Sequence, residues 1–206
     1  MKKAINHLKK ADPVLASIIE RVGPYAMQYR EPAFQTLVRS IVYQQLSGKA
    51  ALTILNRLLA AARPKDGNDA PLTPQAILKL RPQKMRTLGL SQQKVTYIRE
   101  LARMTRDGEI HFERLAELED AEVVAHLTRV KGVGVWTVHM FLMFALRRPD
   151  VLPVGDLGVR MAMKKAYGFA ELPKPAEMEK IAAAWKPWCS VASWYLWRSL
   201  ENQGAM

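Results

Sequence analysis

Asp156 stands in RRPDVLPVGDLGVRMAMKKAYG, where Pro153 and Gly155 break helicity immediately before it. A carboxylate so placed has two uses. As an N-cap it accepts N–H bonds from the first turn of the following helix and answers the helix dipole. Aimed into a cleft, it orients or activates water and stabilises a developing cation. The two roles are compatible. Asp150 follows Pro149 in a polar loop and reads as a solvated turn residue. Upstream, LTRVKGVGVWTVHMF (127–141) sets Gly132 and Gly134 between two apolar-periodic runs. Such a pair either turns the chain between ordinary helices, or lets another backbone approach while N–H groups at the next helix start face a phosphate. In the second case Lys131, Gly132, Val133 and Gly134 form the gripping turn, and Lys131 adds charge without base preference.

Other chemistry is narrowly bounded. The single cysteine, Cys189, excludes an intramolecular disulfide, a four-cysteine iron–sulfur cluster and a cysteine-rich zinc site. His7, His111, His126 and His139 show no metal-ligand spacing, so no metal held by side chains is expected. His139 lies three residues after Trp136, on roughly the same face of a helix. YQQLSGKA (43–50) interrupts a helical pair with polar residues and reads as an interhelical turn with Ser47 as N-cap.

Helices must position these groups. Leu37, Ile41, Val42 and Leu46, then Ala50, Leu52, Leu55, Leu58 and Leu59, follow the three-and-four rhythm of a buried stripe, and no alternating strand pattern stands out. Helix starts are marked at ADP (11–13), REP (30–32), LTP (72–74) and LRP (80–82). Stops fall at RPKDGNDAP (63–71), RDGEI (106–110), Gly134, RRPD and YGF. These cuts predict about ten short helices and an all-α class. Residues 63–74 form the longest loop, a lobe boundary or crossover. The helix beginning VWTVHMFLMFAL is apolar nearly all round and should be buried.

The chain has 206 residues, 49% of them hydrophobic, which is enough for one good-sized domain or two small lobes. Its 31 Lys and Arg against 19 Asp and Glu leave a net charge of +12, pointing to a polyanionic partner. Nucleic acid is the first candidate and an anionic membrane surface the second. No apolar run approaches the roughly 20 residues of a membrane span, and MKKAINHLKKADP lacks the features of a signal peptide. A soluble, cytoplasmic protein is expected.

Taken in order, LTRVKGVGVWT (hairpin, 127–137) and LPVGDLGVR make the sequence resemble the helix-hairpin-helix (HhH-GPD) DNA glycosylase superfamily. FQTLVRSIVYQQLSGKAA (34–51) and WKPWCSVASWYLW (185–197) look like the corresponding segments of its 3-methyladenine DNA glycosylase II branch. The resemblance spans about residues 12–202 and implies one all-α glycosylase domain over 1–206, with two helical lobes and the active-site cleft between them. It makes Asp156 the counterpart of the essential acid. Strand-cutting relatives carry a lysine nucleophile two residues after the second hairpin glycine; here that position is Trp136, which implies a monofunctional enzyme. The expected substrate is double-stranded DNA containing alkylated purines, flipped from the stack and released to leave an abasic site.

Trp136 is then expected as the aromatic wall for a cationic base, with Trp197, His139 and Met140 in the same pocket. Trp185, Trp188 and Trp194 read as core residues. The turn at Gln44, Gln45, Leu46 and Ser47 would fill the gap left by the flipped nucleotide, with Leu46 slightly preferred over Gln45 for the inserted side chain. No cofactor is required; a structural monovalent cation at the hairpin's backbone carbonyls belongs to the resemblance. A monomer is expected. The competing readings are a non-catalytic DNA-binding helical module in which Asp156 only caps a helix, a glycosylase for a different damaged base, and a basic protein with an acidic protein partner.

Overall fold

A computed structural model describes residues 1–62 and 71–201. Among them are the helices α1 (Lys2–Ala11), α2 (Pro13–Val22), α3 (Phe34–Tyr43), α4 (Gly48–Ala62), α5 (Pro74–Lys79), α6 (Pro82–Thr87) and α7 (Gln92–Arg106). They continue with α8 (Asp120–Leu127), α9 (Val135–Phe144), α10 (Leu157–Tyr167), α11 (Pro175–Ala182) and α12 (Cys189–Glu201). Two 3-10 turns, Phe112–Glu117 and Ala183–Trp185, complete them. The described residues contain no strand, as the hydrophobic rhythm predicts. The chain divides into two compact units: Met1–Tyr29 with the chain from Leu142 onward, and Arg30–Phe141. The second division falls within α9. Most of the stretch 63–74, expected as a lobe boundary or crossover, lies outside the described residues.

The first unit is organised by a buried carboxylate. Asp12 Oδ1 caps α2 by accepting the Leu15 N–H at 3.0 Å, and Pro13 occupies the first helical position. Its other oxygen accepts the Tyr167 hydroxyl at 2.6 Å and the Trp185 indole N–H at 2.8 Å. The start of α2 and the last residue of α10 are thereby tied to one side chain. Burial, with Asp12 as hydrogen-bond partner, pushes the Tyr167 phenol well above its usual range. Trp185 and Trp194 are buried as core residues, while Trp188 is only partly so. Asp150 is not a solvated turn residue: its Oδ1 accepts the Cys189 N–H at 3.2 Å, at the first residue of α12. That partner is 39 positions away, beyond the reach of a local reading.

In the second unit Phe34, Phe112 and Phe141 form a run of edge-on ring contacts. Thr73 with Pro74, Arg81 with Pro82, and Ser91 mark the starts of α5, α6 and α7. Pro32 does not start a helix, because α3 begins at Phe34 behind an extended Ala33. The apolar stripe is also displaced. Ala51, Leu55 and Leu58 are the buried residues of α4, whereas Leu46, Ala50 and Leu52 are exposed. A stripe drawn through Leu46 assumes a continuous helix, and the turn at 44–47 rotates the face. α9 is buried at Thr137, Val138, Phe141, Leu142 and Met143, yet its first turn is exposed at Val135 and Trp136.

Candidate active site

Asp156 is positioned by the ends of two helices of the first unit. The loop before it is pinned at Val151, whose N–H donates to Ser190 Oγ at 3.0 Å while that hydroxyl donates to the Arg148 carbonyl at 2.7 Å. A turn then closes, with the Asp156 N–H on the Pro153 carbonyl at 2.8 Å. Asp156 caps α10, its Oδ1 accepting the Val159 N–H at 2.8 Å, and the Trp197 indole N–H reaches the same oxygen at 2.7 Å. Ser190 and Trp197 both belong to α12. Seven residues apart, they sit two turns along one face, so a single helix holds the loop and orients the carboxylate.

Asp156 is 9% exposed, and a carboxylate withdrawn from bulk water acts through a field that solvent screens less. The Trp197 ring stacks on Phe144, with centroids 5.8 Å apart and planes 21° apart. Gly158 permits the approach. A Cβ there would lie 2.9 Å from Trp197 Cδ1 and 3.1 Å from both Asp156 Oδ1 and Trp197 Nε1. Asp156 is therefore both an N-cap and a carboxylate oriented by an aromatic neighbour, so the two readings coexist. Phe144 and Gly158 were missed from sequence. The signal for Gly158 is a glycine in the first turn of a helix, where it weakens the helix unless something approaches closely.

In the second unit, α8 ends at Leu127 and the hairpin turn brings the Val133 N–H to the Val130 carbonyl at 3.0 Å. Val130 and Val133 are buried, so the Val133 side chain anchors the turn and only its backbone can serve a ligand. Its alternation with two glycines concealed that inward direction. The glycines have separate causes. Gly132 has φ +84°, and a Cβ would stand 2.1 Å from the Tyr97 ring. Among the described residues Gly134 has nothing within 4 Å of where its Cβ would be, so no contact among them accounts for it. Lys131 is exposed beside them.

The turn after α3 is joined to this hairpin. Gln44 Nε2 donates to the Gly132 carbonyl at 2.9 Å and, more weakly, to Thr137 Oγ1 at 3.5 Å. Of the four turn residues Gln44 is thus held, while Gln45, Leu46 and Ser47 are exposed. Gln45 has φ +55°, and Ser47 Oγ accepts the Ala50 N–H at a long 3.4 Å. Trp136 is 41% exposed, with His139 and Met140 half-buried on the following turn. Burial pushes the His139 imidazole below its usual value against the opposing pull of Asp120. Among the described residues no group of His, Cys, Asp and Glu could hold a metal ion, and no helix is long and apolar enough to cross a membrane.

The family profile described as HhH-GPD superfamily base excision DNA repair protein matches residues 38–187, a span that includes the hairpin and Asp156. DNA-3-methyladenine glycosylase 1 of Schizosaccharomyces pombe is 33% identical over 202 residues, covering 96% of this chain and 86% of that protein. The solved structure of the S. pombe 3-methyladenine DNA glycosylase in complex with abasic DNA has a TM-score of 0.85 at 31% identity and covers 99% of both chains. A DNA-3-methyladenine glycosidase from Bacillus halodurans has a TM-score of 0.83 at 34% identity, covering 97% of this chain and 91% of its own. A helical chain with a glycine hairpin before α9 and an aspartate capping α10 thus belongs to the HhH-GPD superfamily of base excision DNA repair proteins.

Proposed function

We propose that this base-excision-repair DNA glycosylase is monofunctional, flipping alkylated purines such as 3-methyladenine and 7-methylguanine from double-stranded DNA and hydrolysing the glycosidic bond. The observation that carries the reading is the Asp156 carboxylate, buried and oriented by the Trp197 indole N–H and the Val159 amide. As the base departs, the sugar gains oxocarbenium character, and a fixed anion in a water-poor site stabilises it without reorganising. N3- or N7-alkylation makes the base cationic, which makes it a good leaving group. An electron-rich indole stacked on it, Trp136 first and Trp197 second, contributes roughly 0.5 to 2 kcal/mol. Half-buried His139 and Met140 complete the proposed wall. Trp136 also stands where a strand-cutting relative has its lysine, so the product is an abasic site.

The hairpin supports the DNA-binding half of the reading. Gly134 faces open space, consistent with a backbone phosphate closing on the turn at Lys131–Gly134. Gln45 or Leu46 fills the vacated stack, and the exposed, positive-φ Gln45 presents itself as readily as Leu46. The protein acts as a monomer and the reaction consumes no cofactor; a monovalent cation at the hairpin carbonyls would serve structure only. The names of the relatives, which mention 3-methyladenine, support the choice of an alkylated purine. The test is base release from duplexes carrying 3-methyladenine, 7-methylguanine, ethenoadenine, hypoxanthine or uracil, for the wild type and Asp156→Asn. Release of the alkylated purines with alkali-labile product, lost in Asp156→Asn while duplex binding persists, is expected. Near-wild-type release by that variant would overturn the assignment of Asp156.

A further inference from the structure

Lys94, in the first turn of α7, does not point its charge outward as a chain of net charge +12 seeking a polyanion would suggest. Its Nζ donates to the Val42 and Gln44 carbonyls, each at 2.7 Å. Those carbonyls lie at the carboxyl end of α3, where no intrahelical donor remains and the helix dipole is negative. Holding a cation there has a cost, since partial burial pushes the Lys94 ammonium below its ordinary value. The residue that follows, Gln45, is kept at φ +55°, a conformation that costs a side-chain-bearing residue roughly 1 to 2 kcal/mol and needs support from its surroundings. From the same turn, the Gln44 side chain crosses to the Gly132 carbonyl. One turn along α7 from Lys94, the Tyr97 ring occupies the space that a Cβ on Gly132 would need. One helix therefore contacts both functional loops of the second unit, and Gln44 joins them directly.

We infer that Lys94 is a positioning residue that, with Gln44, locks the exposed Gln45–Leu46–Ser47 turn in register with the Gly132–Gly134 hairpin, so that gripping the phosphate and entering the base stack are one coupled event. This rests on the glycosylase reading of the same loops. A preformed turn enters the stack without first being ordered, so its advantage appears only where a paired, stacked base must be displaced.

The test compares wild type, Lys94→Met and Lys94→Arg in single-turnover base release, on a 7-methylguanine that is fully paired and on the same lesion opposite an abasic-site analogue. Lys94→Met is expected to slow release from the paired lesion about tenfold and from the unpaired one less than about threefold, with Lys94→Arg recovering most of the loss because its guanidinium can still donate to both carbonyls. Equal losses on the two substrates, or no loss on either, would overturn the inference. If Lys94→Met does not fold, Lys94→Gln, whose shorter, uncharged amide cannot hold the cation's place at both carbonyls, replaces it. A 2-aminopurine beside an abasic-site analogue provides a readout independent of catalysis. Wild-type binding should raise its fluorescence, while the methionine variant binds without that rise; equal fluorescence from both overturns the inference. Wild type that releases no base yet gives the fluorescence difference would sink the glycosylase reading and leave the positioning role standing.

Discussion

The Trp197 indole N–H donates to Oδ1 of Asp156 at 2.7 Å, the same oxygen that caps α10. A hydrogen bond to a charged group is worth about 1.5 to 3 kcal/mol. Trp197→Phe retains a ring to stack on Phe144 but removes this donor. Single-turnover base release should fall about ten- to a hundredfold, the range those energies correspond to, and the thermal midpoint should fall by several degrees because the same bond stabilises the fold. An unchanged rate would show that the indole does not orient the acid.

Gly158→Ala should separate helix stability from activity. Alanine favours a helix interior over glycine by roughly 0.5 to 1 kcal/mol, but its Cβ would press on Trp197 Cδ1 at 2.9 Å and crowd Asp156 Oδ1 at 3.1 Å. Base release is expected to fall about tenfold or more, as a small misplacement of a reacting group suffices for such a loss. Calorimetry should show a much smaller change in the unfolding midpoint. A variant that is fully active would mean the indole can shift without consequence.

The two hairpin glycines should behave oppositely. Gly132→Ala meets both a positive φ and the Tyr97 ring, and is expected to lose about 2 to 4 kcal/mol of stability in urea unfolding. Adding Tyr97→Ala should relieve only the packing part. Gly134→Ala meets no contact and should leave stability within about 0.5 kcal/mol, yet weaken duplex affinity in a salt titration. Unweakened binding by Gly134→Ala would remove the argument that this glycine admits a phosphate.

His139 carries a pH signature. Its folded-state pKa is pushed below the usual value by burial, so below the unfolded pKa of about 6.5 the unfolded chain binds more protons than the folded one. Stability contributed by the neutral imidazole is present above that pKa and lost as pH falls through it towards the folded value. Wild type should therefore lose more stability than His139→Gln on acidification from about pH 7.5 to about 5.5. His126 is shifted in the same direction and its contribution persists in both proteins. Parallel losses in the two proteins would show that His139 is not protected from protonation.

Most local signals read correctly where cause and effect lie within one turn of the chain, the helix start expected at Pro32 being an exception. Asp12 with Pro13, Thr73 with Pro74 and Gly168 after Tyr167 mark helix ends where the structure has them. The acid is legible for a related reason. Pro153 and Gly155 force the chain out of helix, and an aspartate at the next start must cap, which is what Asp156 does. The groups that hold the functional loops and rings from a distance were not legible. Phe144 reads as one more apolar residue of α9 and Lys94 as one more surface cation, because their partners are contributed by distant segments.

By itself, the sequence determined the all-helical class, the hairpin, the capping acid and a basic chain suited to a polyanion, all properties of periodicity, breakers and charge. Tertiary structure alone decided that Trp197 shares one oxygen with the Val159 amide, that Asp150 caps α12, and that Gln44 is held while Gln45 to Ser47 are exposed. The physical reason is range. Caps and turns are satisfied by atoms a few residues away, whereas the direction of a buried polar side chain is set by whichever distant donor or acceptor packing brings within about 3 Å of it.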